Sequence, residues 1–373
     1  KVITSGATTF NGAVGSATDG ALSSLTITAT IPASAGTVTF NQGQVTTTGN
    51  QSYGGAVLLG ADTTLDAGAG DVTFDSTVDT LASANANPTV AKSLTVNSNG
   101  ITTFGGAVGG ANKGALSRLT TDAGTSGRVA INGGSVMTTG TQRYGEAVTL
   151  GANTTLTSTT DTVTFLSITD GASTSVATPI SVFNLNLKSA TALTLGDVDI
   201  GGQLQVTTQA GGVSQRANTS LNVGGAATLT ADVGMYQVAA LTSANNTFTG
   251  LLSFNQTNRG SWADVSVTTD APLSLGPLQS GGSVNLQTQG ALTTSTISTS
   301  GNLTMNSQGG AMSVGASTVS GNMTVQTAGG AMAQTGQFVV TGDTSVTAGT
   351  GTITLLNAFN NFAGSLALQG TST

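Results

Sequence analysis

Short segments in which apolar and polar side chains alternate recur along this chain. Residues 38–40 (VTF), 94–96 (LTV) and 284–286 (VNL) each place two apolar side chains on one face of an extended strand and one polar side chain on the other. Thr, Val and Ile are frequent in these segments and glycine interrupts them every few residues, which disfavours helix. The pattern predicts an all-β chain with almost no helix.

The second half of the chain repeats at about twenty residues. Gly282, Gly301, Gly321 and Gly342 each precede an alternating segment, at intervals of 19, 20 and 21 residues. We expect these glycines to form tight corners that need a positive φ. The spacing predicts two interior columns of stacked side chains: Val284, Leu303, Met323 and Thr344 in one, and Leu286, Met305, Val325 and Val346 in the other.

Segments this short do not form a stable sheet alone, but stacked in register, one per coil, they form parallel sheets around a shared core. We therefore predict a parallel β-helix with about 20 residues per coil. Roughly eighteen coils at about 4.8 Å each predict a rod of about 85 to 90 Å.

The first half contains a longer duplication. TTFNGAVG at 8–15 returns as TTFGGAVG at 102–109, displaced by 94, and YGGAVLLGADTTL at 53–65 returns as YGEAVTLGANTTL at 144–156, displaced by 91. The difference of three predicts a short deletion in a loop between Ile27 and Gly36. We predict one elongated domain over 1–373, with two long repeats in 1–165, an irregular transition over 166–200 and shorter coils over 201–373. Departures from the coil are expected at 80–93, 166–182 and 243–264.

Composition limits the possible functions. Only 7% of residues are charged, and the net charge of −7 comes from fifteen Asp and one Glu against nine Lys and Arg, which form no basic cluster. We therefore predict no nucleic-acid partner, because phosphate binding needs concentrated positive charge. The chain has no His and no Cys, which excludes catalytic triads and the usual zinc ligands.

Carboxylates are the remaining catalytic candidates. The densest acidic group is Asp62, Asp66, Asp71, Asp75 and Asp79. No Lys or Arg lies between Lys1 and Lys92, and the second repeat replaces the first four by Asn153, Thr157, Thr162 and Leu166. We interpret the group as solvated coil corners and predict no catalytic residue and no enzyme activity. An extracellular carbohydrate-active β-helix enzyme is the alternative.

Calcium is the candidate metal, because glycine and aspartate turns in solenoids can coordinate it. GAGDVTFD at 68–75 comes nearest to such a turn, but the repeated spacing G-G-x-G-x-D is absent. We interpret the segment as a turn into a strand and predict no metal and no cofactor, while a calcium site near Asp66 to Asp75 stays open.

Aromatic residues can fill a core or bind sugars from the surface. Seven of them recur at corresponding strand positions, which predicts a buried role: Phe10, Phe40, Phe74, Phe104, Phe165, Tyr53 and Tyr144. Trp262 is not repeated and lies beside Arg259 and Asp264. It is the better candidate for an exposed aromatic, and the alternative is a Trp buried beneath a loop.

The phrases SYGGAVLLGADTTLDAGAGDVTF at 52–74 and RYGEAVTLGANTTLTSTTDTVTF at 143–165 resemble repeats of filamentous-haemagglutinin-type exoproteins. These are large bacterial surface adhesins secreted by the two-partner pathway, and biofilm-matrix adhesins are among them. The resemblance implies a right-handed parallel β-helix outside a Gram-negative cell that acts as a shaft for adhesion or aggregation. An autotransporter passenger is a further alternative.

The resemblance also implies partners. They are an exopolysaccharide, a host or neighbouring-cell surface, and an outer-membrane secretion partner. The chain shows neither a secretory h-region nor about eighteen consecutive apolar residues, so we expect a mature product or part of a longer protein. Unpaired strand edges at the ends of such a shaft predict end-to-end self-association.

Overall fold

The computed structural model describes residues 1–16, 20–29, 36–81, 90–110, 114–122, 127–170, 182–234, 236–258 and 260–371. Every regular element in these ranges is a β-strand, and the strands pair in parallel, as the alternating pattern predicts. No helix among them is long and apolar enough to cross a membrane. The chain divides into two compact units, Lys1–Ala190 and Thr191–Thr373.

Parts of the predicted irregular segments lie outside the described residues. These parts are 30–35 in the loop of the expected deletion, 82–89 in the segment 80–93, and 171–181 in the segment 166–182. The proposed domain boundaries at 165 and 200 stay predictions.

The described part of the first unit contains nineteen strands. They are β1 (Val2–Thr4), β2 (Thr8–Phe10), β3 (Leu25–Ala29), β4 (Thr37–Phe40), β5 (Gln44–Thr46), β6 (Gln51–Tyr53), β7 (Ala56–Leu59), β8 (Thr63–Asp66), β9 (Val72–Phe74), β10 (Val78–Thr80), β11 (Ser93–Asn97), β12 (Ile101–Phe104), β13 (Arg118–Thr121), β14 (Arg128–Ile131), β15 (Ser135–Thr138), β16 (Gln142–Leu150), β17 (Thr154–Ser158), β18 (Val163–Thr169) and β19 (Leu185–Ser189).

Strands that are neighbours in a sheet of this unit come from successive coils. The orders are β2-β4-β7-β10, β15-β17-β19, and a larger sheet whose two arms, β1-β3-β6-β9-β12-β14 and β5-β8-β11-β13, meet at β16. Residues 142–144 of β16 pair with β13, and residues 147–150 pair with β14. The pairing of β16 with β18 is interrupted between Tyr144 and Ala147. A single strand therefore turns a corner of the coil by means of a β-bulge.

Aromatic rings form a column in the core of the first unit. The ring of Tyr53 stacks on Phe74 with centroids 5.4 Å apart, and Phe74 stacks on Phe104 at 5.3 Å. These three residues are direct strand partners in adjacent coils. The predicted core role is confirmed for the recurring aromatics, which are buried except Phe10, whose half-buried ring stacks on Phe40.

The described part of the second unit contains twenty-five strands. They are β20 (Leu193–Leu195), β21 (Asp197–Ile200), β22 (Leu204–Thr208), β23 (Val213–Gln215), β24 (Leu221–Val223), β25 (Ala227–Asp232), β26 (Gln237–Leu241), β27 (Thr247–Phe248), β28 (Leu252–Thr257), β29 (Trp262–Thr269), β30 (Leu273–Leu275), β31 (Leu278–Ser280), β32 (Val284–Thr288), β33 (Leu292–Thr294), β34 (Ile297–Thr299), β35 (Leu303–Ser307), β36 (Met312–Val314), β37 (Ser317–Val319), β38 (Met323–Thr327), β39 (Met332–Gln334), β40 (Phe338–Val340), β41 (Thr344–Thr347), β42 (Ile353–Thr354), β43 (Asn361–Phe362) and β44 (Leu366–Gln369).

Stacking in this unit is more regular than in the first. The later coils supply one strand each to the orders β29-β32-β35-β38-β41-β44, β30-β33-β36-β39-β42 and β31-β34-β37-β40-β43. Val284 pairs with Leu303, Leu303 with Met323, and Met323 with Thr344, as predicted. The second predicted column is confirmed in the same strand pairs, so the parallel β-solenoid and its period of about twenty residues are both confirmed for this unit.

The corner glycines are needed for a different reason from the predicted one. None of Gly282, Gly301, Gly321 and Gly342 has a positive φ. A methyl group on Gly321 would instead lie 2.7 Å from the carbonyl oxygen of Gly301, and one on Gly342 would lie 2.6 Å from that of Gly321. Glycine is required because the backbone of the preceding coil lies directly against each corner.

Polar side chains link the same corners along the outside. Asp264 Oδ1 accepts a hydrogen bond from the backbone N–H of Ser283 (2.6 Å), and Asn302 Oδ1 accepts one from Asn322 (2.9 Å). The side chain of Asn322 continues the series to the N–H of Asp343 (2.9 Å). Ser283 Oγ likewise accepts from the N–H of Asn302 (3.2 Å). Each of these corner residues thus holds the backbone of the next coil, and the role needs an acceptor oxygen but no charge.

Candidate functional site

The predicted acidic group is spread over separate coils: Asp62, Asp71 and Asp75 lie between strands, Asp66 ends β8, and Asp79 lies within β10. Four of the five accept hydrogen bonds from backbone N–H groups. Asp62 Oδ1 accepts from Ser93 (2.8 Å), Asp71 Oδ1 from Ile101 (2.7 Å) and Asp79 Oδ1 from Gly110 (2.6 Å), each in the next coil. The hydrogen bond from the Ser93 N–H lowers the pKa of Asp62. These carboxylates hold coils together; Asp62 and Asp71 do so from corners, as predicted, whereas Asp79 does so from strand β10.

The segment 68–75 shows no cation-binding arrangement in its described geometry. Asp66 Oδ1 accepts a hydrogen bond from the N–H of Gly68 (3.3 Å), and Asp71 Oδ1 is used by Ile101. Within the described ranges no three side chains of the types His, Cys, Asp and Glu form a group that could hold a metal. The segment is a turn into strand β9.

Trp262 is buried, so its interpretation as an exposed aromatic is wrong, and it packs against strand β28 instead of beneath a loop. Its side chain is 0% exposed, and its ring meets Phe254 edge-on with centroids 5.8 Å apart. Its Nε1 donates a hydrogen bond to the carbonyl oxygen of Asn255 over 2.9 Å. Arg259 lies outside the described residues, and the carboxylate of Asp264 holds Ser283. Trp262 therefore supports the backbone of β28 from inside.

The coils of the second unit separate beside β28 and leave a groove. Strand β28 pairs with β25 along its whole length, from Leu252 to Thr257. With the next coil it pairs only where Leu252 meets Leu275. Strand β31 is the terminal strand of its sheet and pairs only with β34. The edges of β28 and β31 therefore do not pair with each other and border a shared space instead.

This groove has a volume of about 570 Å³, which suits a ligand of several rings or a short chain segment. Phe254 and Leu278 are buried at its base. Gln256 spans it, because its Nε2 donates a hydrogen bond to the carbonyl oxygen of Gln279 over 2.6 Å. The remaining lining residues are Asn255, Thr257, Pro277, Thr296 and Ser298. None of these nine described residues is ionisable, so the groove offers amides and hydroxyls above an apolar base.

A strained turn lies next to the groove. Val233 has φ +68° and Tyr236 has φ +59°, which are rare for side chains of this size and are found where surrounding structure enforces them. Asp232 holds the turn to the groove, since its Oδ1 accepts hydrogen bonds from Thr257 Oγ1 (2.8 Å) and from the Asn258 side chain. The turn carries an exposed aromatic side chain, since Tyr236 is 67% exposed.

Tyr236 lies close to the end of β31. A methyl group on Gly281, the residue after β31, would be 3.7 Å from the Tyr236 ring. The predicted departure from the coil at 243–264 contains four of the nine lining residues of the groove, so the sequence did carry a signal for it. Tyr236, Gln256 and Gln279 were not predicted, because their proximity depends on where two coils separate.

Three segments of the chain, 183–255, 263–313 and 300–369, match a family described as repeats of unknown function (DUF5649). The segments lie almost entirely in the second unit, where the coils stack more regularly. The groove residues Phe254 and Asn255 are the last two residues of the first segment. Comparison with curated proteins and with solved structures finds no match to this chain.

Proposed function

We propose that this chain is a structural and adhesive shaft of a bacterial exoprotein that works outside the cell, on its surface or in the biofilm matrix. One observation supports this above others: in each unit, short strands from successive coils pair in parallel register. Each coil is therefore held to its neighbours by backbone hydrogen bonds along the stacking direction. Such scaffolds keep their shape through nearest-neighbour contacts and present extended surfaces for binding.

The outward side chains support an extracellular role. They are mainly Thr, Ser, Asn and Gln, and only 7% of all residues are charged. Hydroxyl and amide groups shield the sheets without drawing the shaft toward charged macromolecules. The resemblance to filamentous-haemagglutinin-type repeats supports a bacterial surface location and export by the two-partner pathway.

The groove supports adhesion to a neutral exopolysaccharide in particular. Gln256, Gln279 and Thr296 can exchange hydrogen bonds with sugar hydroxyls, and Pro277 and the ring of Tyr236 offer apolar faces on which a pyranose can rest. An acidic polysaccharide would lack a cationic partner among the described lining residues. A groove between strand edges also accepts an extended chain better than a compact solute.

Binding of purified chain 1–373 to immobilised neutral and acidic exopolysaccharides tests the proposal. Tyr236→Ala and Gln279→Ala should each weaken binding to a neutral polysaccharide. Thr318→Ala is the matched control, because Thr318 is exposed on β37, two coils further along the sheet that begins with β31, and lies outside the groove. Equal binding of all three variants, or preference for an acidic polysaccharide, would exclude the groove as the adhesive site.

Shaft and export are tested separately. Cells that display the chain should aggregate more than cells that display a scrambled control, and the gene region upstream should encode a two-partner secretion domain. End-to-end self-association stays a prediction, for which sedimentation velocity at increasing concentration is the measurement.

A further inference from the structure

The one glutamate of the chain is buried at a corner of the first unit. Glu146 is 2% exposed and lies inside the β-bulge of β16, between Tyr144 and Ala147. The regular alternation of β16 breaks here, because Tyr144, Gly145 and Glu146 are all buried in succession. Gly145 is the residue out of step, since Tyr144, Glu146 and Val148 are buried at every second position. The alternation therefore directs the carboxyl group of Glu146 inward at the bulge.

Among the described residues, several buried side-chain oxygens of two successive coils accept no hydrogen bond from an N–H or hydroxyl group. They are both carboxyl oxygens of Glu146, Oδ1 of Asp122 and Oγ1 of Thr121. The side chains of Glu146 and Asp122 lie within hydrogen-bond reach of each other. Burial of a carboxylate without compensation is costly, and buried polar atoms in folded proteins nearly always have a partner. Burial and, secondarily, the neighbouring Asp122 raise the pKa of Glu146 to about 8.

Backbone carbonyls converge on the same place. A methyl group on Gly127 would lie 2.8 Å from the carbonyl oxygen of Gly100 and 2.9 Å from that of Ser98, and closer still to Glu146 Oε1. Three oxygens from two other coils therefore surround the space beside Gly127, and only glycine leaves that space free. Thr121 is the last residue of strand β13, and Asp122 follows it.

The first repeat shows that this corner folds without acidic residues. At the displacements of 91 and 94, Glu146 corresponds to Gly55, Asp122 to Thr28 and Gly127 to Gly36. One hydrogen bond recurs: the N–H of Gly100 donates to Ser98 Oγ (3.1 Å), as that of Gly6 donates to Thr4 Oγ1 (3.0 Å). The carbonyl oxygen lies nearer in the second repeat, since a methyl group on Gly127 would be 2.8 Å from that of Gly100 and one on Gly36 would be 3.8 Å from that of Gly6. The acid pair is therefore an addition of the second repeat, and the fold alone does not account for it.

We propose that this corner binds a calcium ion through the carboxylates of Glu146 and Asp122, the hydroxyl of Thr121 and the carbonyl oxygens of Ser98 and Gly100. The donor set consists only of oxygen and reaches six when Glu146 binds with both oxygens, which is the coordination that Ca²⁺ prefers. The ion would join three successive coils and supply the partners that the buried oxygens lack. This site would bind a cation through carboxylates, whereas the groove is lined by uncharged side chains.

The test uses chelator-treated chain 1–373 and CaCl₂ at pH 7.5, with calorimetric titration and thermal melting as readouts. One equivalent of Ca²⁺ should bind, and Ca²⁺ should raise the melting temperature of the first unit more than Mg²⁺ does. The double variant Glu146→Gly, Asp122→Thr should lose both responses and still fold, because the first repeat carries these residues. Asp75→Asn, which removes an exposed carboxylate elsewhere, should keep both responses.

Two results would overturn the calcium site. One is a wild-type chain that neither binds Ca²⁺ nor melts higher in its presence at pH 7.5 and pH 9. If its melting temperature instead falls between these pH values regardless of Ca²⁺, the acid pair is held together by a shared proton. The other is a double variant that binds Ca²⁺ as tightly as the wild type.

Discussion

Gln215 and Asn246 hydrogen-bond to each other through both of their side-chain amides. Gln215 Nε2 donates to Asn246 Oδ1 over 2.7 Å, and Asn246 Nδ2 donates to Gln215 Oε1 over 2.9 Å. Gln334 and Asn360 form the same reciprocal pair. One pair falls in the first segment that matches the repeat family and the other in the third. The pair is thus a recurring device that joins adjacent coils.

Each pair also satisfies backbone groups that turn away from the strand ladders. Asn246 Oδ1 accepts from the N–H of Leu221 (3.0 Å), as Asn360 Oδ1 accepts from that of Phe338 (2.9 Å). Asn246 Nδ2 further donates to the carbonyl oxygen of Thr268 over 3.0 Å. Because Asn246 is fully buried, water cannot hydrogen-bond to these backbone groups in place of its side chain.

Replacement of Asn246 by Leu should therefore destabilise the second unit. It removes the acceptor of the Leu221 N–H and the side-chain donor to the Thr268 carbonyl oxygen, and it breaks both bonds of the amide pair with Gln215, at a cost of about 2 to 4 kcal/mol. Urea unfolding followed by the fluorescence of the buried Trp262 measures the change. Asn245→Leu is the control, because Asn245 is exposed and should change stability by less than about 0.5 kcal/mol. Equal effects of the two variants would contradict a structural role for the amide pair.

The duplicated tyrosines make a second stability prediction. The hydroxyl of Tyr53 donates a hydrogen bond to Gln51 Oε1 (2.8 Å). The Nε2 of Gln51 in turn donates to the carbonyl oxygen of Asp66 (2.8 Å). Tyr144 and Gln142 repeat the arrangement in the second long repeat. Tyr53→Phe and Tyr144→Phe should each cost about 1 to 2 kcal/mol, because a buried amide oxygen loses its donor. Chemical denaturation of both variants is the measurement, and a change in only one would show that the repeats are not equivalent.

Corner glycines should tolerate substitution according to what the preceding coil places against them. Gly321→Ala would put a methyl group 2.7 Å from the Gly301 carbonyl oxygen, and the overlap should cost about 1 to 3 kcal/mol. Gly281→Ala should be close to neutral, since the nearest atom to its methyl group would be 3.6 Å away. Thermal melting of the two variants provides the comparison, and a destabilised Gly281→Ala would argue for a conformational rather than a steric requirement.

Asp62 should contribute a pH-dependent part of the stability of the first unit. Its pKa is lowered in the folded chain by the hydrogen bond from the Ser93 N–H, so its stabilising effect is present above its ordinary value of 3.8 and is lost as pH falls through the lower folded value. Asp62→Asn keeps an acceptor, as Asn153 does in the second repeat by accepting from the Asn184 N–H over 2.8 Å.

Melting temperatures measured from pH 6 to pH 2 provide the check. The wild type should lose more stability than Asp62→Asn as the solution becomes acidic. Parallel curves for the two proteins would mean that the hydrogen bond does not distinguish the charged carboxylate from the neutral one.

Much of the fold follows from local pattern. The columns through Val284 and Leu286 were predicted because each short strand has one apolar face and each corner glycine recurs at nearly constant spacing, which leaves stacking as the way to bury those faces. The burial of Tyr53, Phe74 and Phe104 was predicted for the same reason, whereas their stacking as one column was not. Recurrence at equivalent strand positions is a property of the sequence itself.

The sequence indicated less well why particular residues occupy their positions. The corner glycines were attributed to positive φ, but they are required by the backbone of a neighbouring coil, which the local sequence does not specify. Trp262 could be exposed or buried until the packing of Phe254 against it was known. Asn246 and Gln215 are thirty-one residues apart, and nothing in either segment alone indicates that they pair.

The sequence by itself determined the fold class, the repeat, the stacked apolar columns and the uncharged surface, because these depend on periodicity and composition. Only the tertiary structure decided where coils separate to form the groove, and which residues the bulge at Glu146 brings together with Asp122 and Gly127. Both features depend on the register between coils. A shift of one residue in that register changes which side chains meet and leaves the pattern along the chain unaltered.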